Sequence, residues 1–290
     1  MLAAQPYLGY NELMIPYAPP IREWFDSLEV DNSRYSSFRP LKMSRLQPLS
    51  GTYKTLEDQK KMDALWPLSR AAEANAQSYN EHVFGDEIST VLEKLEEDTQ
   101  RFNAAVKYPG TNSLIDRQRL YLLAKTSPGE IMEIGVYTGT STAFIAMGTE
   151  HQVYAVDPNS PVETEDDWRY DKLGIQPIMP ICENLWSELN LANIHMIQDF
   201  SYNVCDRIPD EIGMLFLDGN HSLEAQQKDL EQYAGRIISG GIFVTHEWTF
   251  PGSWVDTFDA MKSYFYDRAD EWIGPFRDDG HNYLLWFVKK

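Results

Sequence analysis

The chain has 290 residues, 43% hydrophobic and 24% charged, enough for one large domain plus a smaller appendage and for a core that needs no disulfide or metal staples. Lys and Arg number 25 against 44 Asp and Glu, a net charge of -19, which repels a polyanion and argues against a broad nucleic-acid footprint. Its two cysteines, Cys182 and Cys205, exclude a disulfide scaffold and a four-cysteine zinc site, and no apolar run nears the ~20 residues that span a bilayer, so a soluble cytoplasmic protein without a signal peptide or membrane contact is expected.

Residues 1–55 are rich in Pro, Tyr, Ser and Asn, with Pro16, Pro19, Pro20, Pro40 and Pro48 as breaks, and read as irregular chain with short helical turns. Residues 56–80 and 86–105 read as helices; Ile88, Val91, Leu92 and Leu95 mark an apolar stripe on the second. Residues 1–107 are expected to serve as a cap or in oligomerisation, a homodimer being one assembly the sequence allows. Tyr108-Pro109-Gly110 is the expected joint to a second unit, 108–290.

From there strands and helices alternate. Asp116–Lys125 reads as a helix, Ile131–Ile134 as a buried strand, and a helix follows from Ser141. Val153–Asp157, Ile194–Gln198 and Met214–Asp218 read as strands, and Leu223–Ile238 as a helix. Gly240-Gly241 leads into a strand at Ile242–Thr245, followed by a helix at 255–267. Glu271–Phe276 and Tyr283–Val288 close the chain as a hairpin around Asp278-Asp279-Gly280. Helical crossovers between strands predict an α/β fold: a mostly parallel sheet with helices on both faces and an antiparallel last strand.

The turn after the first strand reads Glu133-Ile134-Gly135-Val136-Tyr137-Thr138-Gly139-Thr140-Ser141. It lacks the middle glycine of the dinucleotide fingerprint, and Glu133 would sit badly beside a phosphate. An acid with an open glycine turn suits a ligand with a cationic amino-acid end. Asp157, closing the second strand, can accept both ribose hydroxyls, or cap a helix. Asp199, after the third strand, is placed to accept from an exocyclic amine, or is an ordinary turn acid. Together they describe an adenosyl ligand with a positive tail.

Two further motifs, Asp218-Gly219-Asn220-His221 and Gly240-Gly241-Ile242-Phe243-Val244-Thr245-His246-Glu247, complete the pattern. Across about 110–290 the chain resembles the class I S-adenosylmethionine-dependent methyltransferases, in particular small-molecule O-methyltransferase-like members with D-G-x-H and G-G-x4-H-D motifs. The resemblance implies a Rossmann-like sheet. It implies that Glu133, Gly135, Tyr137, Gly139 and Ser141, with Asp218, hold the methionine end, that Asp157 holds the ribose, and that Asp199 and Phe200 flank the adenine. Metal-dependent relatives hold a divalent cation at the positions of Asp218, His246 and Glu247. The departure to His-Glu tilts a site that Mg²⁺ would prefer all-oxygen toward Mn²⁺, Fe or Zn²⁺, or means that no metal binds.

The expected reaction is methyl transfer to a hydroxyl, in preference to an amine, of a small-molecule acceptor, with His246 as candidate base and Asp218 orienting it or holding metal. His221 could orient Asp218, act as base or cap a helix. Two other functions fit the same residues: non-methyl-transfer chemistry in the cofactor pocket, or a non-catalytic interaction protein with a vestigial pocket. Trp248, Phe250 and Trp254 are candidate pocket residues, or packing. The proline-broken stretch Pro158–Pro180 is expected to be a lid that brings Trp168, Tyr170 and Leu173 over the site. His82, His151, His195 and His281 carry no pattern.

Overall fold

The structure is a computed structural model and describes residues 21–22, 99–108, 110, 112–159, 178–246, 255–276 and 284–290. The helix expected at 56–80, most of that at 86–105, the proposed lid residues Trp168, Tyr170 and Leu173, and the turn at 278–280 lie outside the described residues. So do Glu247, Trp248, Phe250, Trp254, His82 and His281.

The elements run α1 (Thr99–Val106), α2 (Leu114–Thr126), β1 (Ile131–Ile134), α3 (Thr140–Gly148), β2 (Val153–Val156), α4 (Met179–Glu188), β3 (Ile194–Ile197), β4 (Ile212–Leu217), α5 (Leu223–Tyr233), β5 (Ile237–Thr245), α6 (Val255–Phe265), β6 (Trp272–Phe276) and β7 (Leu285–Lys289). The strands form one sheet in the order β3-β2-β1-β4-β5-β7-β6. The first five are parallel, and β7 runs antiparallel to both β5 and β6. The expected mixed sheet with an antiparallel end is therefore observed.

Strand alternation divides the core into two layers. On β4, Met214 and Phe216 face a cluster with Leu120, Leu123, Phe144, Ile145, Leu185 and Trp186 from α2, α3 and α4. Leu215 and Leu217 face the other side, with Leu230, Tyr233, Phe265 and Phe287. All four β4 residues are buried, as a central parallel strand covered on both faces requires. Ile21 also enters the second layer, and Arg22 Nε donates to the Tyr266 carbonyl, so this piece of the N-terminal region packs on the α6 side.

Two boundaries differ from expectation for local reasons. Helix α2 begins at Leu114, because Ser113 and Asp116 form a reciprocal capping box: Ser113 Oγ accepts from the Asp116 amide, and Asp116 accepts from the Ser113 amide. Helix α5 ends at Tyr233, and β5 starts at Ile237, earlier than the glycine pair suggested. Gly240 and Gly241 lie inside the strand. Gly240 has φ +79°, and the β4–β5 register shifts between Ile212 and Met214, as at a bulge. A Cβ on Gly241 would stand 2.7 Å from the Gly213 carbonyl, so the glycine pair permits close strand approach. Among the described residues, no helix is long and apolar enough to cross a membrane.

Candidate active site

The site lies at the C-terminal ends of β1, β2 and β4, the edge where ligands bind in open α/β sheets. Leaving β1, the chain passes through three left-handed residues, Gly135 (φ +94°), Tyr137 (φ +49°) and Gly139 (φ +75°), before entering α3. A Cβ on Gly135 would run into the carbonyl of Asp218, so glycine lets the turn lie directly on the end of β4. A Cβ on Gly139 would meet the Trp186 ring, and Trp186 Nε1 donates to the Gly139 carbonyl at 3.0 Å. The turn is thus seated on α4, where Cys182 Sγ also donates to the Tyr137 carbonyl.

Glu133 shares the α3-side face of β1 with Ile131 and is fully buried. Ser141 Oγ donates to its Oε1 at 2.5 Å, while Oε2 has no hydrogen-bond partner. Burial, reinforced by nearby Asp218 and Asp157 and opposed by Ser141 and Thr142, pushes the Glu133 carboxyl up to about 8. It is therefore mostly protonated at neutral pH, and a cation in the site would favour its charged form.

Asp157, 8% exposed, pins the turn. Its Oδ2 accepts from the amides of Val136 (2.8 Å) and Tyr137 (3.0 Å), and its Oδ1 from the amide of Asn159 (2.6 Å). A carboxylate has about four acceptor sites, so capacity remains for a ligand hydroxyl. Asp199 is engaged locally. Hydrogen bonds from Asn203 and Arg207 hold its exposed carboxyl below the usual range. Phe200 is exposed and stacks on Tyr202, with ring centroids 5.3 Å apart.

Asp218 is the centre of a buried polar chain. Its Oδ1 lies 3.4 Å from His246 Nδ1 and 3.6 Å from His221 Nε2, and its Oδ2 accepts from Asn112 Nδ2 at 3.1 Å. On the far side, His246 Nε2 is 3.7 Å from Asp116 Oδ2. Burial works against the Asp218 charge, but the two imidazoles and the Asn112 amide outweigh it and hold the carboxyl below its ordinary range. His246 is 1% exposed, with both ring nitrogens directed at carboxylates. His221 is more accessible, its side chain 13% exposed. Gln226 Nε2 lies 3.1 Å from its Nδ1 and donates to Thr257 Oγ1 at 3.0 Å. With Gln226 as donor to the ring, the His221 proton sits on Nε2, facing Asp218.

The geometry brings Glu133, Gly135, Tyr137, Gly139, Ser141, Asp157, Asp218, His221 and His246 to one sheet edge, with Asp199 and Phe200 beyond β3. Asn112 and Asp116 complete this polar chain, and sequence reasoning singled out neither for the site. Two of the three implied metal ligands, Asp218 and His246, are adjacent, and Glu247 lies outside the described residues. Among the described residues no group of three or more His, Cys, Asp or Glu is arranged to hold a metal ion.

Residues 132–248 match the model of a family described as a methyltransferase domain. Over those residues the chain is similar to methyltransferase domains. No curated protein matches the chain. Solved structures similar to it include the O-methyltransferase NovP (14% identity, 60% of this chain and 79% of that one, TM-score 0.48). An O-methyltransferase from Bacillus cereus in complex with SAH is 17% identical over 76% of this chain and 99% of its own, with a TM-score of 0.46. An rRNA methylase from Streptococcus thermophilus is 16% identical over 61% and 99%, with a TM-score of 0.43. A methyltransferase domain implies S-adenosylmethionine as cofactor. The residues fit that cofactor: a cationic tail would meet three neighbouring acids, and the unpartnered Glu133 oxygen points to a missing positive group.

Two expectations follow. Because burial raises the Glu133 pKa, its protonated form favours folding. That contribution is complete below the unfolded value near 4.5 and is lost as pH rises toward 8. Glu133→Gln should therefore melt at progressively higher temperature relative to wild type across this window; parallel melting curves would refute the buried neutral acid. Asp157→Asn leaves one acceptor oxygen where two now serve three amides. It should lose about 1–3 kcal/mol in urea unfolding and bind S-adenosylhomocysteine more weakly.

Proposed function

We propose that the domain transfers the methyl group of S-adenosylmethionine to a hydroxyl of a small molecule. The observation that carries this reading is Asp218 at the end of β4, paired with His221 on the accessible side and backed by His246 and Asn112. When bound, the cofactor supplies a methyl group already activated on a sulfonium. The protein's task is to align a nucleophile and remove its proton, and alignment accounts for ~7–11 kcal/mol of such barriers.

A hydroxyl titrates far above neutral pH and needs a base as it reacts. His221 with Asp218 is an imidazole–carboxylate pair suited to receive that proton, a step worth ~10²–10⁴-fold. His246, enclosed between Asp116 and Asp218, acts as a positioning residue that fixes the Asp218 carboxylate. This shifts the role of base from His246 to His221. Glu133, Gly135, Tyr137, Gly139 and Ser141 would surround the methionine end, Asp157 the ribose, and Asp199 with Phe200 the adenine. Should Glu247 complete a ligand set with Asp218 and His246, a divalent cation such as Mg²⁺ or Mn²⁺ would supply Lewis acidity there. The net charge of -19 favours a small acceptor over a nucleic acid.

Purified protein incubated with methyl-labelled S-adenosylmethionine and a panel of phenols, alcohols, amines and RNA tests the reading. Label should move to hydroxyl compounds. Transfer to RNA or amines alone, or cofactor binding without any transfer, would contradict it. His221→Asn should lower the rate of the chemical step by roughly 10²-fold or more with S-adenosylhomocysteine affinity unchanged. An unchanged rate would remove His221 from the chemistry. Parallel assays with EDTA and with added Mn²⁺ would show whether a cation takes part.

A further inference from the structure

The start of α2 is built inside out. Asp116, Arg117 and Arg119 are buried, at 0%, 6% and 6% exposure, while the adjacent Leu114 and Ile115 are each 46% exposed. A surface helix normally does the reverse, turning its apolar residues to the core and its charges to water. One exposed leucine would call for no explanation. Two large apolar side chains in sequence, left in water where three charged neighbours are buried, mark a surface that something covers.

The place of this pair is fixed from both sides. Two residues before Leu114, Asn112 Nδ2 donates to Asp218 Oδ2 at 3.1 Å. One residue after Ile115, Asp116 Oδ2 lies 3.7 Å from His246 Nε2. The capping box between Ser113 and Asp116 holds the turn in one geometry. Consecutive Cα atoms are ~3.8 Å apart, so the Leu114 backbone lies within ~8 Å of that of Asn112. The apolar pair therefore stands at the rim of the polar chain, beside the carboxylate and imidazoles to which a reacting hydroxyl would come. Two half-exposed side chains fall far short of the ~800 Å² per partner that a stable protein interface covers. They suit one wall of a small-molecule pocket, where apolar surface accompanies a few fixed polar groups. The buried acids Asp116 and Asp218 and the net charge of -19 disfavour an anionic occupant.

From this placement we infer that Leu114 and Ile115 contact the methyl acceptor and select one whose hydroxyl is carried on an uncharged apolar body, such as an alkylated phenol, over a sugar or an acid. The inference rests on the methyl-transfer reading above and names the class of acceptor for it. Asp218 and His221 receive the hydroxyl, and the first turn of α2 selects what is attached to it.

The test uses the full chain loaded with S-adenosylhomocysteine and a series of 4-alkylphenols from methyl to butyl, with binding read by calorimetry. In the wild type, affinity should rise about two- to fourfold for each added methylene. The double variant Leu114→Ser with Ile115→Ser should flatten that rise, while S-adenosylhomocysteine affinity stays at the wild-type value and the melting temperature within a few degrees of it. Leu114→Met with Ile115→Leu, which keeps the apolar surface, should restore the rise. No phenol binding, a wild-type affinity indifferent to chain length, or a serine variant that keeps the full rise would each overturn the assignment. So would a serine variant that unfolds or loses S-adenosylhomocysteine, since the pair would then serve the fold, and so would a wild-type dimer that the serine variant dissociates, since the face would then belong to a second copy. The methyl-transfer reading survives these results if label still moves from S-adenosylmethionine to another hydroxyl compound. Transfer to no hydroxyl compound would overturn that reading, and the assignment with it.

Discussion

How closely the chain leaving β1 can lie against the end of β4 determines the rest of the site. At Gly135 the backbone takes a left-handed turn so near Asp218 that no side chain fits between them. That contact places Asp218 beside the turn and sets Val136 and Tyr137 where Asp157 can receive both amides. The two sheet layers supply rigidity. Met214, Leu215, Phe216 and Leu217 bury both faces of β4, so the acid that follows is carried by one of the best-packed segments of the molecule.

The site is built from groups that are costly in the absence of ligand. Glu133 is kept mostly neutral by burial, with one oxygen unmatched. The Asp218 chain is different: its charge is already balanced by His221, His246 and Asn112, so it is organised before any ligand arrives. Preorganised groups lose little on binding and can act on developing charge without rearrangement.

Much of this was legible in the residues. Alternation and helix spacing located the seven strands of the described residues within a few positions, and Glu133, Asp157 and Asp218 fall at one end of the sheet. What stayed hidden depends on contacts distant in sequence. Gly240 and Gly241 resemble a turn in isolation, and only the neighbouring strand turns them into a bulge. His246 has the sequence of a candidate base, but its enclosure by Asp116, 130 positions away, was not legible there. Arg117 could not be distinguished from Arg119 by spacing; both are 6% exposed, and the Trp286 ring beneath Arg119 sets them apart.

The most direct measurement compares S-adenosylhomocysteine binding by Gly135→Ala and Gly219→Ala, with circular dichroism to follow the fold. The Gly219 substituent would meet the Ile134 Cγ2 methyl at 3.0 Å, a contact relieved by a shift of a few tenths of an ångström; that at Gly135 would run into the Asp218 backbone, at a φ that favours glycine. The result expected is a folded Gly135→Ala protein that no longer binds S-adenosylhomocysteine, beside a Gly219→Ala protein that binds within a fewfold of wild type. A folded Gly135→Ala protein with wild-type affinity would contradict the central claim that this backbone approach builds the site.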